Sequence, residues 1–405
     1  MENQSFAMKG GEGPHSYLQN SSLQRNAIEA QKKLIEEAIA NNFNPIITHT
    51  QNPTNLICIA DFGCSTGPNT FIAIQTIIQA IQSHYVPNIT VTNRDNMNLD
   101  SRFHKLNPYD ETLEFLVFFN DQVPKEIMDR SSAWNKGMIH CTNTPMEVRE
   151  AYEAQFKEDF ESFLDARAQE VIGNGLMALQ LATTPDMIVE SSDIDPNIVF
   201  ELLGSSLMDM AKVGIISEDK VDSFNLPIIY PPIKGVKEIV ERNEFFSIET
   251  MEALNFEDFY AFPNPNIFVS IYRAVVEDLI EKHFGGAIVD DLFDRFTQKV
   301  VEFPEILNPN NFKMVLLFVL LKRKIDTIEA EGAYGRGVEV FVVVEVSNRS
   351  CRRRRTSSWD WISAERGSTV GICRFHRKGN EEDEAEQLSP TAPPTTTAVL
   401  WLNSP

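Results

Sequence analysis

Residues Leu56–Thr70 constrain this chain more than any other stretch, because they turn a buried strand into a helix within a few residues. Leu56-Ile-Cys-Ile-Ala60 is a short, uniformly apolar run, the pattern of a strand covered on both faces. Asp61-Phe-Gly-Cys-Ser-Thr-Gly-Pro-Asn-Thr70 follows, with glycine, serine and proline marking an abrupt turn. Phe71, Ile72, Ile74, Ile77, Ile78, Ala80 and Ile81 then stand close to helical spacing, and Pro87 ends the pattern. Strand, glycine turn and helix form the first unit of a Rossmann-like sheet, in which a ligand lies across the carboxyl ends of the strands. Gly63 and Gly67 let the backbone approach that ligand, and Asp61 offers it an acceptor. The competing reading is an ordinary strand-to-helix corner.

Spacing narrows the ligand. A dinucleotide fingerprint needs Gly-x-Gly-x-x-Gly and a phosphate loop ends in Gly-Lys-Ser/Thr, whereas here the glycines stand four apart and no lysine follows. An adenosine-type cofactor without a pyrophosphate, such as S-adenosylmethionine (SAM), fits better than a nicotinamide dinucleotide.

The chain's 405 residues are enough for two or three domains, and 42% hydrophobic with 23% charged residues is ordinary for a globular protein. A net charge of -22 repels phosphate backbones and anionic lipid, so nucleic-acid and membrane partners are not expected and a small molecule is. Cys58, Cys64, Cys141, Cys351 and Cys373 form neither a disulfide framework nor a zinc motif. The N-terminus lacks a leader-like pattern, and the longest apolar run, Met314–Leu321, is too short for a bilayer. A cytoplasmic location is the expectation.

Along the chain, glycines at 10, 11 and 13 precede Ser21 or Ser22, either of which would cap a helix through Ile39. Phe115–Phe119 reads as a second buried strand ending in Asn120-Asp121, where a ribose would be held; an Asn-Asp turn is the alternative. Helical patterns run from Pro145 to about Glu170, from Asn197 to Ala211, from Ile271 to His283 and from Ile288 to Val301. Gly173–Ala182 and Phe312–Leu321 read as strands, and Val221–Pro232 as a proline-punctuated extended piece. Beyond Lys324 an arginine block (352–355), an acidic run (381–384) and a Pro/Thr-rich stretch read as a tail outside the fold, in which Val338–Val346 alone has strand character.

These residues resemble the plant SABATH methyltransferases. The resemblance rests on Met8-Lys-Gly-Gly11, Ser16-Tyr17, Asn20-Ser21, Ala60–Thr70, Phe118-Phe-Asn-Asp121, Trp134-Asn-Lys-Gly137, Ala151–Phe156, Asp222–Pro227, Arg273-Ala-Val and His283-Phe-Gly285. It implies transfer of a methyl group from SAM to a small carboxylic acid such as salicylate, benzoate or jasmonate, or to a xanthine nitrogen. It implies an α/β fold, a Rossmann-like class I methyltransferase sheet with a helical cap, spanning residues 1–324, and a homodimer. Carried over position by position, the resemblance places the cofactor at Tyr17, Ser21, Asp61, Cys64, Asn69 and Asp121. It places the acid at Lys9, Gln24 and Phe200, and magnesium at Asn135, Asp222, Phe224 and Asn225. One carboxylate and a few carbonyl-type oxygens are weak magnesium ligation, and a purely structural loop competes with that reading.

The chain departs from the family pattern in two places. After Asp121-Gln122 the sequence passes directly to Val123-Pro-Lys-Glu, omitting roughly fifty residues, enough for two strands and their helices. Residues 325–405 match nothing in the family. Three readings follow: a carboxyl methyltransferase, a non-catalytic remnant that binds cofactor or an intact homologue, and a nicotinamide-dependent oxidoreductase. In the first, the acid is already ionised at neutral pH, so the chemistry is direct displacement at the sulfonium methyl without a base or nucleophile.

Overall fold

The computed structural model describes residues 11–43, 56–61, 69–85, 123–128, 131–169, 171, 173–186 and 193–325, and beyond them the strand segments 338–346, 358–359, 370–376 and 398–403. The proposed strand at 115–119 lies outside the described residues, as do Lys9, Cys64 and Asp121.

The elements preceding the sheet's first strand are α1 (Tyr17–Asn20) and α2 (Ser22–Asn42). Strand β1 (Leu56–Asp61) and helix α3 (Asn69–Tyr85) are the strand and the helix of the unit read from the sequence, whose turn with Gly63 and Gly67 lies outside the described residues. Then come α4 (Lys125–Met128), α5 (Met146–Ala168), β2 (Leu176–Thr183), α6 (Ile198–Lys212), α7 (Glu218–Asp222) and α8 (Ile233–Arg242). Strand β3 (Phe246–Asn255), α9 (Pro265–Phe284), α10 (Val289–Glu302) and β4 (Val315–Arg323) complete the region that carries the family motifs. The four further strands are β5 (Val338–Val346), β6 (Ser358–Trp359), β7 (Val370–His376) and β8 (Ala398–Asn403).

The strands are ordered β3-β4-β2-β5-β1-β8-β7-β6. Strands β1, β5 and β2 are parallel, and the remaining neighbours pair antiparallel. Strand β5 therefore stands between the two strands that frame the ligand edge, whereas the sequence reading left everything beyond Lys324 outside the fold. Its composition suits that place, since a parallel strand covered on both sides reads as a nearly continuous run of branched apolar residues.

Strand β2 shows why the sheet is sandwiched. Its side chains alternate between faces. Leu176 and Ala178 join Ile35 and Ile39 of α2, Ile77 and Ile81 of α3, and Phe318 and Leu320 of β4. Met177, Leu179 and Leu181 join Phe160 and Phe163 of α5, Ile239 of α8, and Leu317 and Val319 of β4 on the other face. A third cluster, built from α6, α9, α10 and the 224–228 segment, forms a helical cap beside the sheet. Helix α9 is bounded by its own sequence. The Asn264 side chain accepts a hydrogen bond from Ile267 N at 3.0 Å, Pro265 takes the first turn, and Gly285 closes it at φ +96°.

Candidate functional site

The N-terminal arm joins sheet and cap. Ser16, Tyr17 and Ser21 are buried, and Asn69, the first residue of α3, is buried against them. Asn69 Nδ2 donates to the Ser21 carbonyl at 3.4 Å, and Arg25 Nε donates to Asn69 Oδ1 at 3.4 Å. On the cap side, Ser22 Oγ lies 3.2 Å from Tyr260 Oη and Asn26 Nδ2 donates to the Phe259 carbonyl at 3.3 Å. The expected serine cap is absent: Ser21 stands at the N-cap position of α2 but makes no side-chain cap bond, and its carbonyl instead binds Asn69. Two of the predicted cofactor positions, Ser21 and Asn69, are hydrogen-bonded to each other; Tyr17 is buried in α1, and Asp61 is the last residue of β1.

Ser16 Oγ and Gln24 Oε1 are buried without a hydrogen-bond partner among the described residues. An unsatisfied buried acceptor costs about 1–3 kcal/mol, so a polar ligand at this junction has groups to satisfy.

On the cap side, Phe200 of α6 is buried in an aromatic group. Its ring centroid lies 4.7 Å from His140, 6.0 Å from Tyr230 and 6.2 Å from Tyr272, the last edge-on. Burial raises the Tyr230 hydroxyl to about 12 and holds that of Tyr272 well above its ordinary range. Burial likewise pushes the Cys141 thiol up to about 12 and His140 down to about 4. All four groups are uncharged at neutral pH. Cys141 is thus no activated nucleophile and His140 no charged base.

The four predicted magnesium positions do come together. Asn135 Nδ2 donates to Asn225 Oδ1 at 2.6 Å and to the His140 carbonyl at 3.0 Å, while Asp222 Oδ1 accepts from Gly137 N at 2.7 Å. Phe224 is buried between His283 and Phe284. The donor set does not fit the ion, because magnesium demands about six oxygens in octahedral array. Here one carboxylate oxygen and one amide oxygen already accept hydrogen bonds, and Asn135 Oδ1 is the buried acceptor left over. Among the described residues no group of three His, Cys, Asp or Glu is placed to hold a metal. The cluster is a hydrogen-bonded clasp between the 135–142 loop and the 222–226 segment.

Sequence reasoning missed Arg25, His140, Tyr230 and Tyr272. His140 and Tyr230 lie in polar or proline-broken stretches without periodicity, Arg25 and Tyr272 lie on helices whose periodicity marks only a buried face, and the contacts described for all four include residues distant in sequence.

A profile of the SAM dependent carboxyl methyltransferases matches residues 3–122 and 112–324. The chain belongs to this family. A probable SAM-dependent methyltransferase of Arabidopsis thaliana is 37% identical over 360 residues, covering 79% of this chain and 99% of the relative. The loganic acid O-methyltransferase of Catharanthus roseus is 36% identical over 358 residues, covering 78% and 94%. A solved structure of loganic acid methyltransferase with SAH matches at a TM-score of 0.65 and 33% identity, covering 80% of this chain and 99% of that one. The carboxyl methyltransferase is an α/β enzyme whose cofactor is SAM. Among the described residues, no helix of this methyltransferase is long and apolar enough to cross a membrane.

Proposed function

We propose that this methyltransferase esterifies the carboxylate of a small plant metabolite by direct displacement, within a domain whose family motifs lie in residues 1–324 and whose sheet also takes in β5. The observation that carries the reading is the buried hydrogen bond between Asn69 and Ser21, with Ser16 Oγ and Gln24 Oε1 buried near it in sequence and without partners among the described residues. When bound, SAM supplies a methyl group on a positively charged sulfur. The chain's own task is to bind, orient and desolvate the acid. A carboxylate of pKa about 4 is ionised at neutral pH and needs no base. That agrees with a wall whose His140, Cys141, Tyr230 and Tyr272 are uncharged. Gln24 and Lys9 orient the acid, Phe200 limits its breadth, and the cap excludes water, so the rate derives from alignment and desolvation. Cofactor contacts are assigned to Tyr17, Ser21, Asp61, Cys64, Asn69 and Asp121.

The reading includes an internal omission after Asp121. Its support is that the alignment with the Arabidopsis relative is 360 residues long, yet takes up only 79% of a 405-residue chain. Near-complete coverage of that relative favours the enzyme over the non-catalytic remnant.

The test is transfer of labelled methyl from SAM to a panel of loganic acid, salicylate, benzoate and jasmonate. Label should appear in a base-labile ester of at least one acid. Incorporation into a xanthine nitrogen alone would contradict carboxylate specificity.

A further inference from the structure

His140 is buried at the meeting point of three segments distant in sequence. Its Nε2 lies 2.5 Å from the Ile228 carbonyl, and a carbonyl only accepts, so Nε2 carries the proton. Nδ1 is then the acceptor, and Thr142 N–H donates to it at 3.2 Å. Thr142 Oγ1 lies 2.6 Å from Nδ1 and 3.0 Å from the carbonyl of Asn197, and its single proton is shared between these two acceptors. Asn197 stands at the N-cap position of α6, the helix that carries Phe200, and its Oδ1 accepts from Tyr230 N at 3.3 Å.

The neighbouring bonds reinforce this hub. Leu226 N donates to the Ile139 carbonyl at 2.7 Å, and Tyr152 Oη donates to the Leu226 carbonyl at 3.0 Å. The imidazole face packs on the Phe200 ring at 4.7 Å. One side chain therefore touches Phe200 directly, holds the segment that leads to Tyr230, and joins through Thr142 the residue that precedes α6.

We propose that His140, as the Nε2–H tautomer, is a positioning residue that fixes Phe200 and Tyr230 as the acceptor-side wall. The inference rests on the reading of Phe200 as an acceptor contact. A phenylalanine at 140 would keep the ring and its stacking but leave the Ile228 carbonyl without a donor. A glutamine would restore an N–H at about the place of Nε2.

The experiment compares the unmodified chain with His140→Phe and His140→Gln, measuring KM and kcat for the best acid of the panel, SAH affinity and thermal midpoint. His140→Phe should raise the acid KM by about tenfold, the scale of one buried hydrogen bond, while SAH affinity stays within about twofold. His140→Gln should recover most of the acid KM. Equal KM values in all three proteins, or parallel loss of SAH and acid binding, would overturn the proposal. Imidazole nitrogen NMR on the unmodified chain is read independently of activity and folding of the variants: it should show the Nε2–H tautomer, and an Nδ1–H tautomer would overturn the assignment. A chain that shows the expected tautomer but methylates no acid contradicts the carboxylate reading and the positioning role together. An active chain with the other tautomer contradicts the positioning role alone.

Discussion

At the scale of single residues, burial decides protonation and protonation decides stability. His140 is held neutral, its pKa lowered from 6.5 to about 4 by desolvation, against which the hydrogen bond to Ile228 works only partly. The folded form binds the proton less readily than the unfolded chain, so stability is fully present above about pH 6.5 and falls as pH drops toward 4. The loss over that window is roughly 3 kcal/mol. Denaturant titrations at pH 7 and pH 4.5 should show this fall, and a His140→Gln chain should show much less of it. An equal fall in both would place the acid sensitivity elsewhere. A second residue-scale outcome concerns the clasp of Asn135, Asp222 and Asn225. Since Asp222 Oδ1 and Asn225 Oδ1 already accept hydrogen bonds from the protein, EDTA should leave the thermal midpoint and methyl transfer unchanged. A lower midpoint restored by added magnesium would contradict the clasp.

At the scale of elements, the cap is an aromatic core. Phe312 is fully buried and meets Phe256 at 5.6 Å, Phe262 at 5.7 Å and Phe268 at 6.2 Å, all edge-on. Phe312→Ala should cost about 3–5 kcal/mol of unfolding free energy. A cost below about 1 kcal/mol would mean that the cap collapses around the gap. Gly204 shows the same tightness between α6 and the 135–142 loop, for an added Cβ would lie 2.9 Å from Ile139 Cγ1.

These elements were largely legible in the sequence. The patterns at 145–170, 197–211 and 288–301 correspond to α5, α6 and α10, because each buries one periodic face. The pattern at 271–283 caught most of α9 but not its start, which is set by Asn264 and Pro265 rather than by hydrophobic periodicity. Of the site, the meeting of Ser21 with Asn69 followed from motifs at the chain's start and after β1. The His140 hub did not, since it joins Ile139–Thr142 to Asn197 and to Leu226–Tyr230 through backbone carbonyls that leave no mark on residue type.

At the scale of the whole molecule, the sheet depends on the order of its middle strands. Val342 of β5 is in register with Ala60 of β1 and Met177 of β2, so its backbone faces a neighbour on each side. Hydrogen exchange on the full chain should find the amides of 338–346 protected with those of 56–61. Val342→Pro, which removes a ladder donor in a central strand, should lower the thermal midpoint and reduce that protection. Free exchange across 338–346 in a chain that melts cooperatively would contradict this strand order.

The account as a whole stands on a cofactor junction at the carboxyl end of β1, and calorimetric titration of SAH into the full chain, after a cooperative melt is verified, tests it most directly. Saturable one-to-one binding that weakens in an Asn69→Ala chain is the expected result. A cooperatively folded chain that releases or absorbs no heat at several temperatures and gains no thermal stability from SAH would contradict it.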